Sequence, residues 1–241
     1  MNTDTARRLL ELNRHFYAEF GDQFSATRQR IQPGVAKIIA RLNGNEHILD
    51  LGCGNGALAH RLAQTGFSGT YTGLDFSLPL LRAAKTQPAN ASFQFIEADL
   101  AGEDWQAGLE PGKYNLVTSF ATLHHIPSKK LQSAMIQKMR ALPGKGASVI
   151  LSNWQFLNSE KLRRRIQPWE TVGISAADVD EGDYLLDWRS GGTGLRYAHF
   201  FTPEELNQLA EENGFMVKES FLSDGENGRL GLYQVWVPVF K

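Results

Sequence analysis

The chain has 241 residues with 25 basic and 26 acidic side chains, a net charge of −1 with the histidines neutral. Apolar residues make up 42% and charged residues 21%, which excludes wholesale disorder; the balanced charge argues against non-specific nucleic-acid binding as the main task and leaves room only for a local basic patch. The single Cys53 excludes an intrachain disulfide framework and a cysteine-rich zinc site.

The first elements are helical. Ala6, Leu9, Leu10, Asn13, Phe16, Tyr17 and Phe20 recur at helical spacing and give one apolar face. Ile31, Val35, Ile38, Ile39 and Leu42 repeat the pattern in a second helix, stopped by Asn43-Gly44-Asn45. Residues 1–45 thus read as an N-terminal helical cap. The rhythm then changes. His47–Leu51 is a short apolar strand that runs into Gly52-Cys53-Gly54-Asn55-Gly56, and a helix follows over Ala57–Thr65. Strands are expected at Thr70–Asp75, Phe93–Ala98, Tyr114–Phe120 and around Ser148–Leu151. Ser77, with Pro79 in the first turn, caps one intervening helix, and Ser128 caps another carrying Leu131, Met135, Met139 and Leu142. Strands alternating with helices of this length predict a parallel sheet.

Residues 154–200 break the alternation. They hold a basic helix (Lys161, Arg163, Arg164, Arg165), an acidic turn (Asp178, Asp180, Glu181, Asp183) and Gly191-Gly192. So long an interruption is expected to be a substrate lid. The pattern resumes at Thr202-Pro203-Glu204-Glu205: Thr202 caps, Pro203 opens and Glu205 completes a capping box. Phe215–Leu222 and Leu230–Val239 are strands joined by a polar turn, hence an antiparallel pair. The expected fold is a single α/β domain over residues 1–241. Its Rossmann-like seven-stranded sheet is parallel with the last strand antiparallel, and helices cover both faces. No apolar run approaches the roughly 18 residues of a membrane span. Met1-Asn2-Thr3-Asp4 lacks the basic and apolar regions of a signal peptide. The expectation is a cytoplasmic protein with no membrane partner.

The chemistry begins at Asp50-Leu51-Gly52-Cys53-Gly54-Asn55-Gly56. Glycines let the backbone turn sharply and let a ligand come close, and the following helix N-terminus suits an anionic group. Such a loop could serve a dinucleotide, but the spacing is GxGxG, not the GxGxxG fingerprint of a nicotinamide-dependent dehydrogenase. Asp75 ends the second strand about twenty residues on, where a carboxylate suits the two hydroxyls of a ribose. Asp99 follows the third strand, placed to accept from an exocyclic amine, and Phe76 and Leu100 are placed to line the faces of a base. Phe120, ending the fourth strand, joins the set. The alternative is that the glycines only shape a turn and Asp75 only caps a strand end. Cys53 reads as a small packing residue, since nothing basic adjoins it. No Cys, His and carboxylate cluster stands at metal-ligand spacing, so no metal is expected.

These pieces resemble the class I S-adenosylmethionine-dependent methyltransferases. The resemblance rests on Ile48–Gly56, Gly73-Leu74-Asp75-Phe76-Ser77, Ala98-Asp99-Leu100 and Leu123-His124-His125-Ile126-Pro127, in the family's order and at its usual spacing, across roughly residues 46–153. It implies S-adenosylmethionine as cofactor. The glycine loop would take its methionine part, Asp75 the ribose, and Asp99 with Leu100 the adenine.

Two flanking stretches bear on the acceptor. Phe24-Ser25-Ala26-Thr27-Arg28-Gln29-Arg30 and the run from Gly182 through Trp188-Arg189 to Arg196-Tyr197-Ala198-His199 resemble the wobble-uridine tRNA methyltransferases, which esterify a carboxymethyl group at the anticodon. The resemblance implies tRNA as partner and, in some lineages, a small activator subunit. A planar guanidinium at Arg28 or Arg196 suits a carboxylate acceptor. Trp188 or Tyr197 suits a flipped base. Tyr17 and His199 join the acceptor set, and His124 is a candidate for catalysis. Each has a structural alternative: Arg28 solvated, His124 ordering a loop, His199 an interior hydrogen-bonded histidine, Trp188 part of the lid core. Methylation of a small metabolite at O or N is the enzymatic alternative, and a cofactor-binding subunit or sensor without transfer activity the non-enzymatic one.

Overall fold

A computed structural model of the chain describes residues 1–28, 30–86 and 92–240; Gln29 of the Phe24–Arg30 stretch lies outside the described residues. The strands are β1 His47–Leu51, β2 Thr70–Asp75, β3 Phe93–Glu97, β4 Tyr114–Phe120, β5 Pro143–Trp154, β6 Ile166–Gln167, β7 Asp183–Trp188, β8 Gly194–His199, β9 Phe215–Ser223 and β10 Gly231–Pro238. The α-helices are α1 Thr3–Ala26, α2 Pro33–Ile39, α3 Ala57–Gln64, α4 Leu78–Lys85, α5 Lys129–Met139, α6 Glu160–Arg163 and α7 Pro203–Glu212.

Seven strands form one sheet in the order β3-β2-β1-β4-β5-β10-β9. Only β10 runs antiparallel to its neighbours, so the expected sheet is the observed one. Alternation along the strands sends successive side chains to opposite faces. Leu49, Leu51, Val117 and Val149 pack with Met135 and Ile136 of α5 and Leu206 and Leu209 of α7. Ile48, Tyr71, Leu116 and Ile150 pack on the other face with Val35 of α2, Leu58 of α3 and Leu81 of α4. Each face therefore has its own apolar core. The order turns back between β1 and β4, and at such a switch point the loops diverge and leave a crevice at the strands' carboxyl ends.

α1 is capped by Asn2, whose side chain accepts from the Thr5 N–H at 2.9 Å. It bridges the sheet domain and the insertion. Phe16, Tyr17 and Phe20 pack with Leu80 of α4 and Trp188 of β7, and Leu9 packs with Trp169, Leu185 and Tyr197. Asn13 acts as an extra rung: its Oδ1 accepts from the Tyr197 N–H at 2.8 Å and its Nδ2 donates to the Tyr197 carbonyl at 3.2 Å.

Three expectations are corrected. The second helix covers only Pro33–Ile39, because Pro33 enters at the first turn and sets the start. The basic helix of the insertion is a single turn, and most of that region is instead a three-stranded antiparallel sheet, β6-β7-β8, whose hairpin turns at Gly191-Gly192. The capping box at α7 is half formed. Thr202 Oγ1 accepts from the Glu205 N–H at 3.1 Å, but the Glu205 carboxylate turns away to His199.

Candidate active site

The crevice at the switch point is a cavity of about 560 Å³. Its floor is the glycine loop. Gly52, Gly54 and Gly56 all have positive φ, at +80°, +55° and +74°. They do different work. A Cβ on Gly52 would lie 2.1 Å from Thr122 Oγ1, so this glycine lets the loop pass beside the end of β4. A Cβ on Gly54 would meet nothing within 4 Å and would project into open space, which is the room a ligand needs. Gly56 caps α3 against Ala84 and does not line the cavity.

Three carboxylates stand round this floor. Asp75 accepts from the Gly54 N–H at 2.9 Å with one oxygen and from the Ser77 N–H at 2.8 Å with the other. Burial pushes its pKa up to about 6, against the pull of those backbone bonds. Asp50 accepts from Tyr71 Oη at 2.6 Å and Thr118 Oγ1 at 2.7 Å, and burial raises it likewise to about 6. With both oxygens engaged inside the sheet, Asp50 holds β1 and its loop in place. Asp99 accepts from the Ala101 N–H at 3.0 Å and pairs with Arg14 of α1. Phe76, Leu100, Phe120 and Cys53 complete this end of the lining. The Cys53 thiol is driven well up by burial and has no nucleophilic character.

The opposite end is cationic and aromatic. Arg196 is buried, yet no carboxylate among the described residues pairs with it, and its Nε has no hydrogen-bond partner. Its guanidinium carbon lies 4.6 Å from the ring centroid of Trp154, 5.5 Å from Phe16, 5.6 Å from Trp188 and 5.8 Å from Phe24. Such a cage stabilises a cation through the ring quadrupoles without neutralising it. Burial lowers its pKa, the neighbouring Tyr17 hydroxyl opposes that, and Arg28 adds to it. Arg28 stacks over Phe24 at 4.9 Å and lines the same cavity.

Between the two ends stand Tyr17, His124 and His125. Tyr17 Oη is 3.0 Å from His125 Nε2, and His125 Nδ1 is 3.0 Å from the Tyr197 carbonyl. Burial, with Arg196 second, pushes His125 down to about 3, so it is neutral. Burial, then His125, then Arg196 pushes His124 well below the ordinary range; its Nδ1 accepts from the Trp154 N–H at 3.3 Å.

The cavity thus gathers Asp50, Gly52, Cys53, Gly54, Asp75, Phe76, Asp99, Leu100, Phe120, Tyr17, Arg28, His124 and Arg196. It leaves out three residues expected at the acceptor. Trp188 lies behind Arg196, its Nε1 donating to the Ser190 carbonyl at 2.7 Å. Tyr197 Oη and His199 Nδ1 both bond Asp183 Oδ1 at 2.7 Å, and His199 Nε2 meets Glu205 at 2.9 Å. These two share one side of β8, away from the cavity: Tyr197 packs on Leu9 of α1 and Trp169, and His199 reaches Glu205 of α7. Sequence reading missed Arg14, Asn153 and Trp154 as lining residues. The i, i+3 and i, i+4 spacing of Asn13, Arg14 and Tyr17 was the available signal for Arg14. Asn153 lies next to the end of β5, and its buried amide has no hydrogen-bond partner among the described residues.

The comparisons agree with this geometry. A methyltransferase domain family matches residues 24–220. A protein of Encephalitozoon cuniculi described as a methyltransferase is 28% identical over 203 residues, 84% of this chain and 86% of that one. A ubiquinone biosynthesis O-methyltransferase of Thiobacillus denitrificans is 28% identical across 71% of this chain and 65% of its own length. Among solved structures, the magnesium protoporphyrin IX methyltransferase of Synechocystis with bound S-adenosylhomocysteine has a TM-score of 0.65 at 20% identity, covering 95% of this chain and 99% of that one. The methyltransferase complexed with the Trm112 activator from Haloferax volcanii has a TM-score of 0.68 at 14% identity, covering 95% and 98%. The chain belongs to the methyltransferase domain family and is an S-adenosylmethionine-dependent methyltransferase.

Proposed function

We propose that this enzyme methylates a carboxylate, and that the carboxylate is the carboxymethyl group of a tRNA wobble uridine. The observation that carries the reading is Arg196: a buried guanidinium, caged by aromatic rings, without a carboxylate partner among the described residues, in the wall of the cavity that the glycine loop floors. A buried cation of this kind wants an anion, and its planar fork matches a carboxylate in two parallel bonds.

The cavity fits the cofactor. S-adenosylmethionine, when bound, supplies an electrophilic methyl group on a sulfonium. The open space over Gly54 receives its methionine end, Asp75 its ribose, and Asp99 with Leu100 and Phe76 its adenine; Gly52, Cys53 and Phe120 shape the walls. Gly56 contributes through the start of α3 and Asp50 through the loop it holds. Arg14 holds Asp99 in position.

The other residues align the acceptor. A carboxylate is already nucleophilic, so the site needs no general base, only orientation and exclusion of water. Arg196 and Arg28 hold the anion, and Tyr17 adjoins the same guanidinium. Phe24 and Trp154, rather than Trp188 and Tyr197, offer ring faces in the cavity. His124 and His125 are neutral and pack the wall between. The insertion over residues 154–200 serves as the lid that carries Arg196.

The test uses cofactor labelled in its methyl group with total tRNA and a small-molecule extract in parallel. Label on tRNA that mild base releases as methanol supports the reading. Label only in the extract, repeated with carboxymethylated tRNA present, overturns it. The second reading is O-methylation of a small molecule, favoured by the ubiquinone biosynthesis relatives. The Haloferax volcanii complex supports an activator subunit, to be checked by co-purification.

A further inference from the structure

Beside the cavity opens a second pocket, also of about 560 Å³. The two share Arg28, Arg30, Ile31, Asn55 and Ala57. His60, Arg61 and Gln64 of α3 and Ala36 of α2 form its other wall, and no carboxylate among the described residues lines it. Among the described residues, the arginines that form ion pairs are Arg7, Arg14, Arg41, Arg164 and Arg189; Arg28, Arg30 and Arg61 are not among them. Arg61 donates to Gln64 Oε1 at 3.4 Å. Three guanidiniums round one void repel each other unless an anion enters.

The pocket is also tied to the reaction centre. Asn55 of the glycine loop donates to Ser25 Oγ at 3.2 Å and lies 3.4 Å from the Arg28 carbonyl, so the loop and the Arg28 segment are held together. Arg28 stands at the junction, lining both spaces. The molecule therefore presents two anion-seeking positions side by side: the caged Arg196 and the three-arginine pocket. A nucleotide whose base bears a carboxylate has two such anions, the carboxylate and the backbone phosphate, with a nucleoside between.

We propose that the pocket of Arg28, Arg30, His60 and Arg61 takes a phosphodiester of the acceptor's polynucleotide backbone, beside the nucleotide that is methylated. Guanidinium forks suit phosphate oxygens as they suit carboxylates. This rests on the carboxylate-on-tRNA reading above. It gives a near-neutral protein a compact site for RNA in place of a broad basic face.

The experiment measures binding of total tRNA between 50 and 200 mM salt for the wild type, Arg61→Glu, Arg30→Ala and the distant Arg7→Ala. Arg61→Glu is expected to weaken binding about tenfold or more and to reduce the slope of log K against log salt by about one, with Arg30→Ala similar and cofactor affinity unchanged. Arg7→Ala is expected to behave as wild type. Wild-type affinity and slope in both pocket variants, with tRNA still methylated, overturn the pocket and leave the carboxylate reading standing. A second arm uses inorganic pyrophosphate. If the wild type neither binds nor methylates tRNA, yet binds pyrophosphate and Arg61→Glu does not, the phosphate assignment holds and the tRNA reading falls. If the wild type binds neither, both fall.

Discussion

The Tyr17 hydroxyl donates to Nε2 of His125 across 3.0 Å. The direction follows from the other side of the ring. His125 Nδ1 lies 3.0 Å from the Tyr197 carbonyl, which only accepts, so Nδ1 carries the proton and Nε2 of the neutral ring accepts. The lone pairs of the Tyr17 oxygen are left for the neighbouring Arg196.

Tyr17→Phe therefore removes an orienting group and strands a buried acceptor. We expect a fall in kcat of about tenfold or more with cofactor affinity unchanged, and a loss of about 1–3 kcal/mol of stability from the unsatisfied Nε2. Steady-state kinetics beside calorimetric titration of the cofactor checks this; an unchanged kcat would remove Tyr17 from the site.

Arg196→Ala is expected to lower kcat/KM by roughly a hundredfold or more, about 2.7 kcal/mol, while cofactor binding persists. Arg196→Lys should not restore it, because an ammonium lacks the planar fork and packs poorly in a cage of four rings. Loss of cofactor binding instead would give Arg196 a different task.

The glycines separate folding from binding. Gly54→Ala costs about 1 kcal/mol of backbone strain at φ +55° and places a methyl group in the cavity, so cofactor affinity should fall about tenfold with the melting temperature down by only a few degrees. Gly52→Ala drives a Cβ to 2.1 Å from Thr122 Oγ1 and should chiefly lower stability. Thermal melts and cofactor titrations on both variants are the check; equal behaviour of the two would contradict the division.

His199 ties the insertion to α7 through Asp183 and Glu205, and those bonds raise its pKa to about 9 despite the opposing effect of burial. A histidine held charged in the fold stabilises it fully below the unfolded pKa near 6.5 and ceases to do so as pH rises through about 9. The gap corresponds to roughly 3 kcal/mol. The melting temperature of the wild type should drop between pH 6.5 and 9.5 relative to His199→Gln. Parallel curves for the two would show that His199 does not bridge these carboxylates as a cation.

The local elements of this protein are legible in its sequence. The strand–glycine loop–helix at residues 47–64 follows from a short apolar run and three glycines, and the parallel sheet from the alternation of strands with helices, while the order of its strands came only from the fold. Asp75 and Asp99 follow from their places at strand ends, since a parallel sheet sends all such ends to one edge. Arg28 and Arg196, from two separate flanking stretches, and Tyr17, from the first helix, line one cavity.

The tertiary structure decided what those stretches do. In the alternation of β8, Arg196 falls on the face opposite Tyr197 and His199, and only the packing of α1 against the insertion tells which face meets the cavity. Trp188 and Trp154 are equally aromatic in sequence; one backs the cage and the other lines the cavity because β5 ends at the carboxyl edge of the seven-stranded sheet and β7 belongs to the sheet of the insertion. Asp50 sits beside the glycine loop in the chain, but Tyr71 and Thr118 from the neighbouring strands claim both its oxygens. Sequence spacing determines which groups a segment carries. Which of them brace the sheet and which turn to the cavity depends on partners more than twenty residues away that only the folded chain brings near.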